Sequence, residues 1–201
     1  MGKGEQTRLA VLAQAADVAA RQGLSTLTIG DLAARTRLSK SGLFAHFQSK
    51  EALQLAILAY ARDKFTDEVI RPATRTPRGE PRVRTLFENW LEVSRSTNAE
   101  CLFVSASAEF DDQPGPVRDQ LVRDHRDCAE SVAQMFRTGI AEGDFRPDAD
   151  PEQFAYELHG IMLGFFHAHR LLGDPLAAER ARRAFESVLA ASHAPAAQTA
   201  V

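Results

Sequence analysis

Apolar residues in this chain recur every three to four positions, and Val, Ile and Thr alternate with polar neighbours over no useful length. That period belongs to α-helix and leaves no strand candidate. The first helix is predicted over about Gln6 to Gln22. Leu9, Leu12, Ala13, Ala16 and Ala20 fall on one face, and Gly23 is the stop. Thr28 reads as the cap of a second helix, Ile29 to Arg35, with Asp31 three residues on in a near capping box. After the link Thr36-Arg37-Leu38, Ser39 caps a third helix to about Phe47. Ser49 caps a fourth, to about Ile70, whose first turn holds Glu51 where the helix dipole favours an acid.

Pro72 is predicted to end that helix, and Pro72 to Pro81 is the clearest loop signal in the chain. A fifth helix should reach about Thr97 and a sixth should span about Glu100 to Phe110. The run from Asp111 to Pro116 is a firm break, followed by a seventh helix to Glu142 with Gly143 as its stop. Asp150-Pro151-Glu152-Gln153 is a start signal, with an Asp cap, Pro at the first helical position and Gln at the third. The eighth helix should end at Gly173. A ninth should start at Asp174-Pro175 and run to about Ala191. The fold class expected is all-α with about nine helices. The expected organisation is a three-helix head over residues 1–50, a helical body over 51–192, and a disordered tail over 193–201.

Composition narrows this picture. At 201 residues the chain is long enough to bury a core without staples. No apolar run approaches the roughly 20 residues of a membrane span, so no membrane partner is expected. No apolar block with a cleavage site opens the chain, and no signal peptide is expected. Cys101 and Cys128 are too few for a disulfide framework, which makes a reduced, cytoplasmic protein the default. The charge is uneven. Residues 1–50 carry seven basic and three acidic side chains, a net +4, while residues 51–201 carry 17 basic and 24 acidic ones, a net −7. A basic head on an acidic body suggests that only the head meets a polyanion.

Two short helices joined by a short turn make a helix-turn-helix, and Thr28 to Leu53 has that layout. Ile29, Leu32, Ala33, Leu38, Leu43 and Phe47 are spaced to bury against the first helix. Ser39, Lys40, Ser41, Phe44 and His46 are then left on the outer side and at the N-terminal end of the third helix, the end such a helix presents to base edges. Lys40 can donate to guanine O6 or N7, and the serine hydroxyls suit most bases. Thr28 and Lys50 sit at helix starts, where free N–H groups take phosphate. His46 is assigned to the DNA backbone. Gly42 either admits close packing of the two motif helices or a close approach to DNA. Each cation also has a plain reading as solvated charge, and His46 as a helix-end cation.

The stretch S-K-S-G-L-F-A-H-F-Q-S-K-E-A-L resembles the DNA-binding domain of the TetR family of bacterial transcriptional regulators. The resemblance extends over roughly residues 6–56 and includes the Gly23 stop and T-I-G-D-L-A-A-R. It implies a DNA-binding regulator: a homodimer on a palindromic operator, released by a small-molecule effector, with repression as the family default. Phe44 departs from the commonest pattern, in which a Tyr hydroxyl bonds a phosphate.

The body is less legible. Phe154, Leu158, Ile161 and Phe165 form one stripe of the eighth helix, with Met162, Leu163 and Phe166 beside it. A helix apolar on several sides is buried on several sides. In the family the last two helices pair with their copies, which would place Arg180, Arg182, Phe185, Val188 and Leu189 in the dimer seam. Candidates for the effector site are Phe65, Trp90, Phe103, Phe110, Phe136, His159, Met162 and Phe166, an apolar set with few polar groups. Trp90 and His159 lead it, and the lack of charge points to a lipophilic effector. His159, His167 and His169 lack an acidic partner at metal-site spacing, so no metal is expected. Cys101 and Cys128 read as small buried residues rather than redox sensors. No phosphate loop or nucleophile elbow is present, so neither catalysis nor a cofactor is expected. The alternatives are a DNA-binding regulator without a small-molecule effector and, more remotely, an enzyme or metalloprotein on a helical scaffold.

Overall fold

The structure is a computed structural model and describes residues 2–36, 39–96 and 99–193. Its helices are α1 (Lys3–Gln22), α2 (Ile29–Thr36), α3 (Lys40–Phe47), α4 (Lys50–Phe65), α5 (Arg71–Thr74), α6 (Glu80–Ser96), α7 (Ala99–Phe110), α8 (Pro116–Glu142), α9 (Pro151–Phe166) and α10 (Ala177–Ser192). π-Helical turns at Thr66–Ile70 and His167–Leu171 carry α4 into α5 and extend α9. The fold is all-α. Among the described residues the only ladder contact is an isolated bridge between Phe145 and His193.

Most predicted caps form. Ser39 Oγ accepts from Gly42 N, Ser49 Oγ from Ala52 N, and Asp150 Oδ1 from both Glu152 N and Gln153 N. The stop at Pro72 does not. The helix widens into the π turn and resumes with Pro72 in the first turn of α5. A first-turn residue has no N–H partner to lose, so the proline ring is tolerated there. Pro81 is tolerated for the same reason at the second position of α6, which shortens the expected loop to the residues between Thr74 and Glu80. At the C-terminal end, Asp174 caps a turn rather than α10: its Oδ1 accepts from Leu176 N, and α10 begins at Ala177. Arg37, Leu38, the Thr97 helix end, the Cys101 side chain and the tail beyond His193 lie outside the described residues.

The chain divides into two compact units. The first comprises residues up to Asp67 together with Val93–His125, and the second Glu68–Glu92 together with the chain from Arg126 on. In the first unit α4, α7 and the start of α8 pack with the three N-terminal helices, so the unit extends well past residue 50. Its core runs through Leu12, Ala15, Ala16 and Ala19 of α1, Leu32 of α2, Leu43 and Phe47 of α3, Leu53, Ile57 and Leu58 of α4, and Leu102 and Ala106 of α7. Small residues on α1 leave room for both α4 and α7. Leu9, expected on that buried face, is exposed at the outer end of α1.

Aromatic stacks build the second unit. Phe87 of α6 lies on Phe185 of α10, with centroids 4.1 Å apart and planes within 7°. Phe136 of α8 stacks on Phe145 at 4.3 Å and on Phe154 of α9 at 4.2 Å. Gly139 makes the first of these possible, because a Cβ there would stand 2.3 Å from the Phe145 ring. Ion pairs cover the α6–α10 seam: Arg84 with Glu80 and Glu186, and Arg182 with Glu88 at 2.8 Å.

Candidate nucleic-acid interface

The helix-turn-helix takes its shape from local hydrogen bonds. Thr28 Oγ1 donates to Asp31 Oδ2 at 2.6 Å and accepts from Asp31 N at 3.1 Å, closing the start of α2. Ser39 has extended backbone and caps α3, and its hydroxyl also lies 3.1 Å from that of Ser41. At the other end of α3, Gln48 takes φ 61°, and Ser49 N donates to Phe47 O at 2.6 Å. This tight γ-turn brings the start of α4 beside the end of α3.

Leu43 and Phe47 are buried against the core of the first unit, with Arg8 over the Phe47 ring at 5.5 Å. Ser39, Lys40, Ser41 and Phe44 are exposed, Phe44 at 57%, while Gly42 and His46 are half-buried. Sequence and structure therefore agree on which side of α3 is core. The Lys40 side chain runs back over the start of α2, its Nζ 3.6 Å from where a Cβ on Gly30 would stand. A cation over exposed helix N–H groups leaves a positive corner between α2 and α3, suited to an anion. Lys50 donates from Nζ to Ser25 O. An ammonium has three donors, so two remain for phosphate. Ser39 is more committed than the sequence suggests, since its oxygen is already the cap of α3.

The candidate effector residues fall into two sets. Phe65, Phe103 and Phe110 belong to the first unit, while Trp90, Phe136, His159, Met162 and Phe166 belong to the second. Phe136 is fully buried in its ring stack, and Trp90 meets His159 at 6.3 Å. The apolar list misses a polar cluster in the first unit. Asp124 is buried and accepts from Gln120 Nε2 at 2.8 Å and Arg62 Nη1 at 3.4 Å, and Ser107 bonds His125. Apolar periodicity carries no signal for such residues, because they lie among the apolar positions of α7 and α8 rather than in a motif. His169 stacks on Phe165, and Cys128 is half-buried. Among the described residues no three His, Cys, Asp or Glu side chains gather as a metal site.

Of the residues assigned to the dimer seam, Phe154, Leu158, Phe165, Phe185 and Leu189 are buried within the chain itself. Ile161 and Val188 are half-buried. Arg182 is engaged by Glu88, and Arg180 pairs with Asp174. A side chain buried in its own subunit has no area left to give a partner, so these five serve the body's own core. The apolar surface left over is a different stripe of α9 and its π turn: Tyr156, Gly160, Leu163, Gly164 and Leu171. Tyr156 is 76% exposed and Leu163 41% exposed, and a Cβ on either glycine would meet nothing within 4 Å.

A helix-turn-helix head continuous with an all-α body is the architecture of one-component DNA-binding regulators. Residues 11–57 match the family model described as bacterial regulatory proteins, tetR family, and residues 79–185 match the tetracyclin repressor-like C-terminal domain. The chain belongs to the TetR family of transcriptional regulators. A regulatory role follows from that membership. Among solved structures it is similar to a TetR transcriptional regulator from Chloroflexus aurantiacus, with 26% identity, a TM-score of 0.82, and coverage of 94% of this chain and 96% of that one. Its fold is also similar to AibR in complex with isovaleryl coenzyme A and operator DNA (22% identity, TM-score 0.72, 94% and 99% covered). A transcriptional regulator from Saccharomonospora viridis in complex with choline shares the fold too (19% identity, TM-score 0.76, 95% and 100% covered). No curated protein matches. Among the described residues no helix is long and apolar enough to cross a membrane.

Proposed function

We propose that the chain is a homodimeric repressor that leaves a palindromic operator when a small molecule binds its body. The observation that carries this is the division of α3, with Leu43 and Phe47 buried and Ser39, Lys40, Ser41 and Phe44 exposed on the opposite side. In this reading Lys40 and Ser41 contact bases with Ser39 as their anchor. Thr28, His46 and Lys50 hold the DNA backbone, and Gly42 and Phe44 lie against it. A two-fold dimer presents its two α3 helices to successive major grooves about 34–36 Å apart. The seam is the Tyr156–Leu171 stripe, where exposed apolar side chains flank two glycines that admit close approach. The effector site draws on one of two sets of body residues, Phe65, Phe103 and Phe110 in the first unit or Trp90, His159, Met162 and Phe166 in the second, and the neighbours' isovaleryl coenzyme A and choline support a small organic ligand without specifying it. The site of action is the cytoplasm, where the chromosome lies.

Mobility shift on the DNA flanking its own gene tests the reading. A specific, salt-sensitive complex is expected, and the Lys40→Ala variant should lose about ten-fold or more in specific affinity, in line with about 1–3 kcal/mol per bidentate base contact. Its non-specific affinity should change much less. Absence of any specific complex, or equal loss on both kinds of DNA, counts against it.

A further inference from the structure

Glu109 stands in the last turn of α7, and its carboxylate binds the backbone of the α1–α2 turn. Oε1 accepts from Leu24 N at 3.0 Å and Oε2 from Ser25 N at 2.7 Å. The carbonyls of the same two residues are taken from the other side. Leu24 O accepts from the buried Gln54 Nε2 at 3.0 Å, and Ser25 O from Lys50 Nζ. All four polar backbone groups of Leu24-Ser25 are thus bound by side chains, the N–H groups by α7 and the carbonyls by α4, within one compact unit.

A Schellman helix end sends two successive N–H groups back to its own carbonyls, the simpler αL end only one. Here only Gly23 N does so, to Ala19 O, while the Leu24 N–H is given to Glu109. Gly23 is constrained twice: its φ is 98°, and a Cβ would stand 3.1 Å from both carboxylate oxygens. An acid at the C-terminal end of α1 opposes the helix dipole. The dipole therefore does not account for Glu109, whereas two charge-assisted N–H bonds do.

We propose that Glu109 is a positioning residue for DNA binding, clamping the turn from which α2 and α3 are hung. The inference rests on the DNA-binding reading above. Lys50 and Gln54 lie one turn apart on α4, so a shift of α7 along α4 pulls the two sides of the turn against each other and re-aims α3. Repression would then respond to the position of α7, and any ligand that moves α7 gains a route to the operator.

The test compares wild type with Glu109→Gln, which keeps the size but turns one acceptor into an NH2 facing an N–H. The probes are a duplex enriched by the wild-type chain from a random library and a scrambled duplex. Measurements are made where circular dichroism shows both proteins folded. Expected are a loss of about ten-fold or more on the enriched duplex, a change within about two-fold on the scrambled one, and faster hydrogen exchange at the Leu24 and Ser25 amides. Glu109→Asp keeps both acceptors at shorter reach and should fall between, which preserves the comparison if the Gln variant does not fold. Wild-type affinity in both variants overturns the inference. So does equal loss on both duplexes, or Leu24 and Ser25 amides already unprotected in wild type. A wild-type chain that enriches no duplex overturns the functional reading and this inference with it.

Discussion

Ser107 Oγ and His125 Nε2 lie 2.7 Å apart inside the first compact unit. The other ring nitrogen bonds the Phe103 backbone, and the Phe103 ring meets the imidazole edge-on at 86°. With one nitrogen donating to a carbonyl, the neutral ring offers Nε2 as the acceptor of the Ser107 hydroxyl. Burial pushes the His125 pKa below its ordinary 6.5, against the Phe103 carbonyl and the Asp124 charge, which raise it.

That geometry sets a pH dependence. A histidine kept neutral by the fold takes its proton more readily when unfolded, so stability rises with pH across the interval between the two pKa values. Stability should be full above about pH 6.5 and should fall as pH drops through the unfolded value toward the folded one. Urea midpoints between pH 7.5 and 5 measure this, and His125→Gln should flatten the slope. Glu80 titrates outside that window: burial works against its charge, but bonds from Arg84 and His193 outweigh burial and hold it below 4.5. An unchanged slope in the His125 variant would mean that another group carries it.

Phe44 exposes 57% of its surface on the outer side of α3. The Phe44→Tyr variant adds a hydroxyl without crowding the core. Operator affinity should rise about two- to thirteen-fold, the range of one net hydrogen bond of about 0.5–1.5 kcal/mol. Because no charge is added, the slope of log affinity against log salt should stay as it is. Titrations of both proteins at several salt concentrations decide the matter. A steeper slope with unchanged affinity would place the ring away from the phosphates.

How far the sequence reveals this molecule depends on the range of the interactions involved. Capping and stop signals are local, so Ser39, Ser49, Asp150 and Gly23 were legible from residue type alone. The outer side of α3 was legible because Leu43 and Phe47 fix its inner side. Pro72 misled because its effect depends on where the helix restarts, and a π turn restarts it one residue earlier. In the body, a helix apolar on several sides does not say which side its own core takes. Phe154 faces inward because Phe136 is there to receive it, and Leu158 and Phe165 are buried with it, but the partner stands on another helix that the pattern of α9 does not reveal. The Glu109 clamp was invisible for the same reason: an acid near the end of an apolar helix gives no hint of the turn it binds.

The Tyr156–Leu171 stripe gives the dimer reading a sharp test. A charge at its middle would be buried without a partner in a two-fold seam, and twice over, because the seam is self-complementary. Leu163→Arg should shift the protein to monomer in sedimentation experiments at concentrations where wild type is dimeric. Leu163 is 41% exposed in the single chain, so helicity should be kept. The control is Phe185→Ala, which removes a ring stacked on Phe87 and should cost about 3–5 kcal/mol through a cavity in the subunit itself. A dimeric Leu163→Arg protein would move the seam elsewhere.

Gln48 occupies the left-handed region at φ 61°, ψ −43°, and among the described residues it is alone in this among non-glycines. Residues held in such regions cost about 1–3 kcal/mol and persist where the surroundings demand them. Here the demand is the junction of α3 with α4: Gln48 N donates to Phe44 O at 2.8 Å, Ser49 N to Phe47 O at 2.6 Å, and Ser49 then caps α4. Gln48→Gly removes the steric strain and adds unfolded-chain entropy of about 0.4–1 kcal/mol, so a net gain of about 1 kcal/mol is expected in denaturant midpoint at constant m. Gln48→Ala keeps the strain and should change stability by less than about 0.5 kcal/mol. Operator affinity should not rise with the Gly variant, because a freer junction holds α3 less firmly against α4. A Gly variant less stable than wild type would show that the Gln48 side chain, and not its backbone, is what the junction needs.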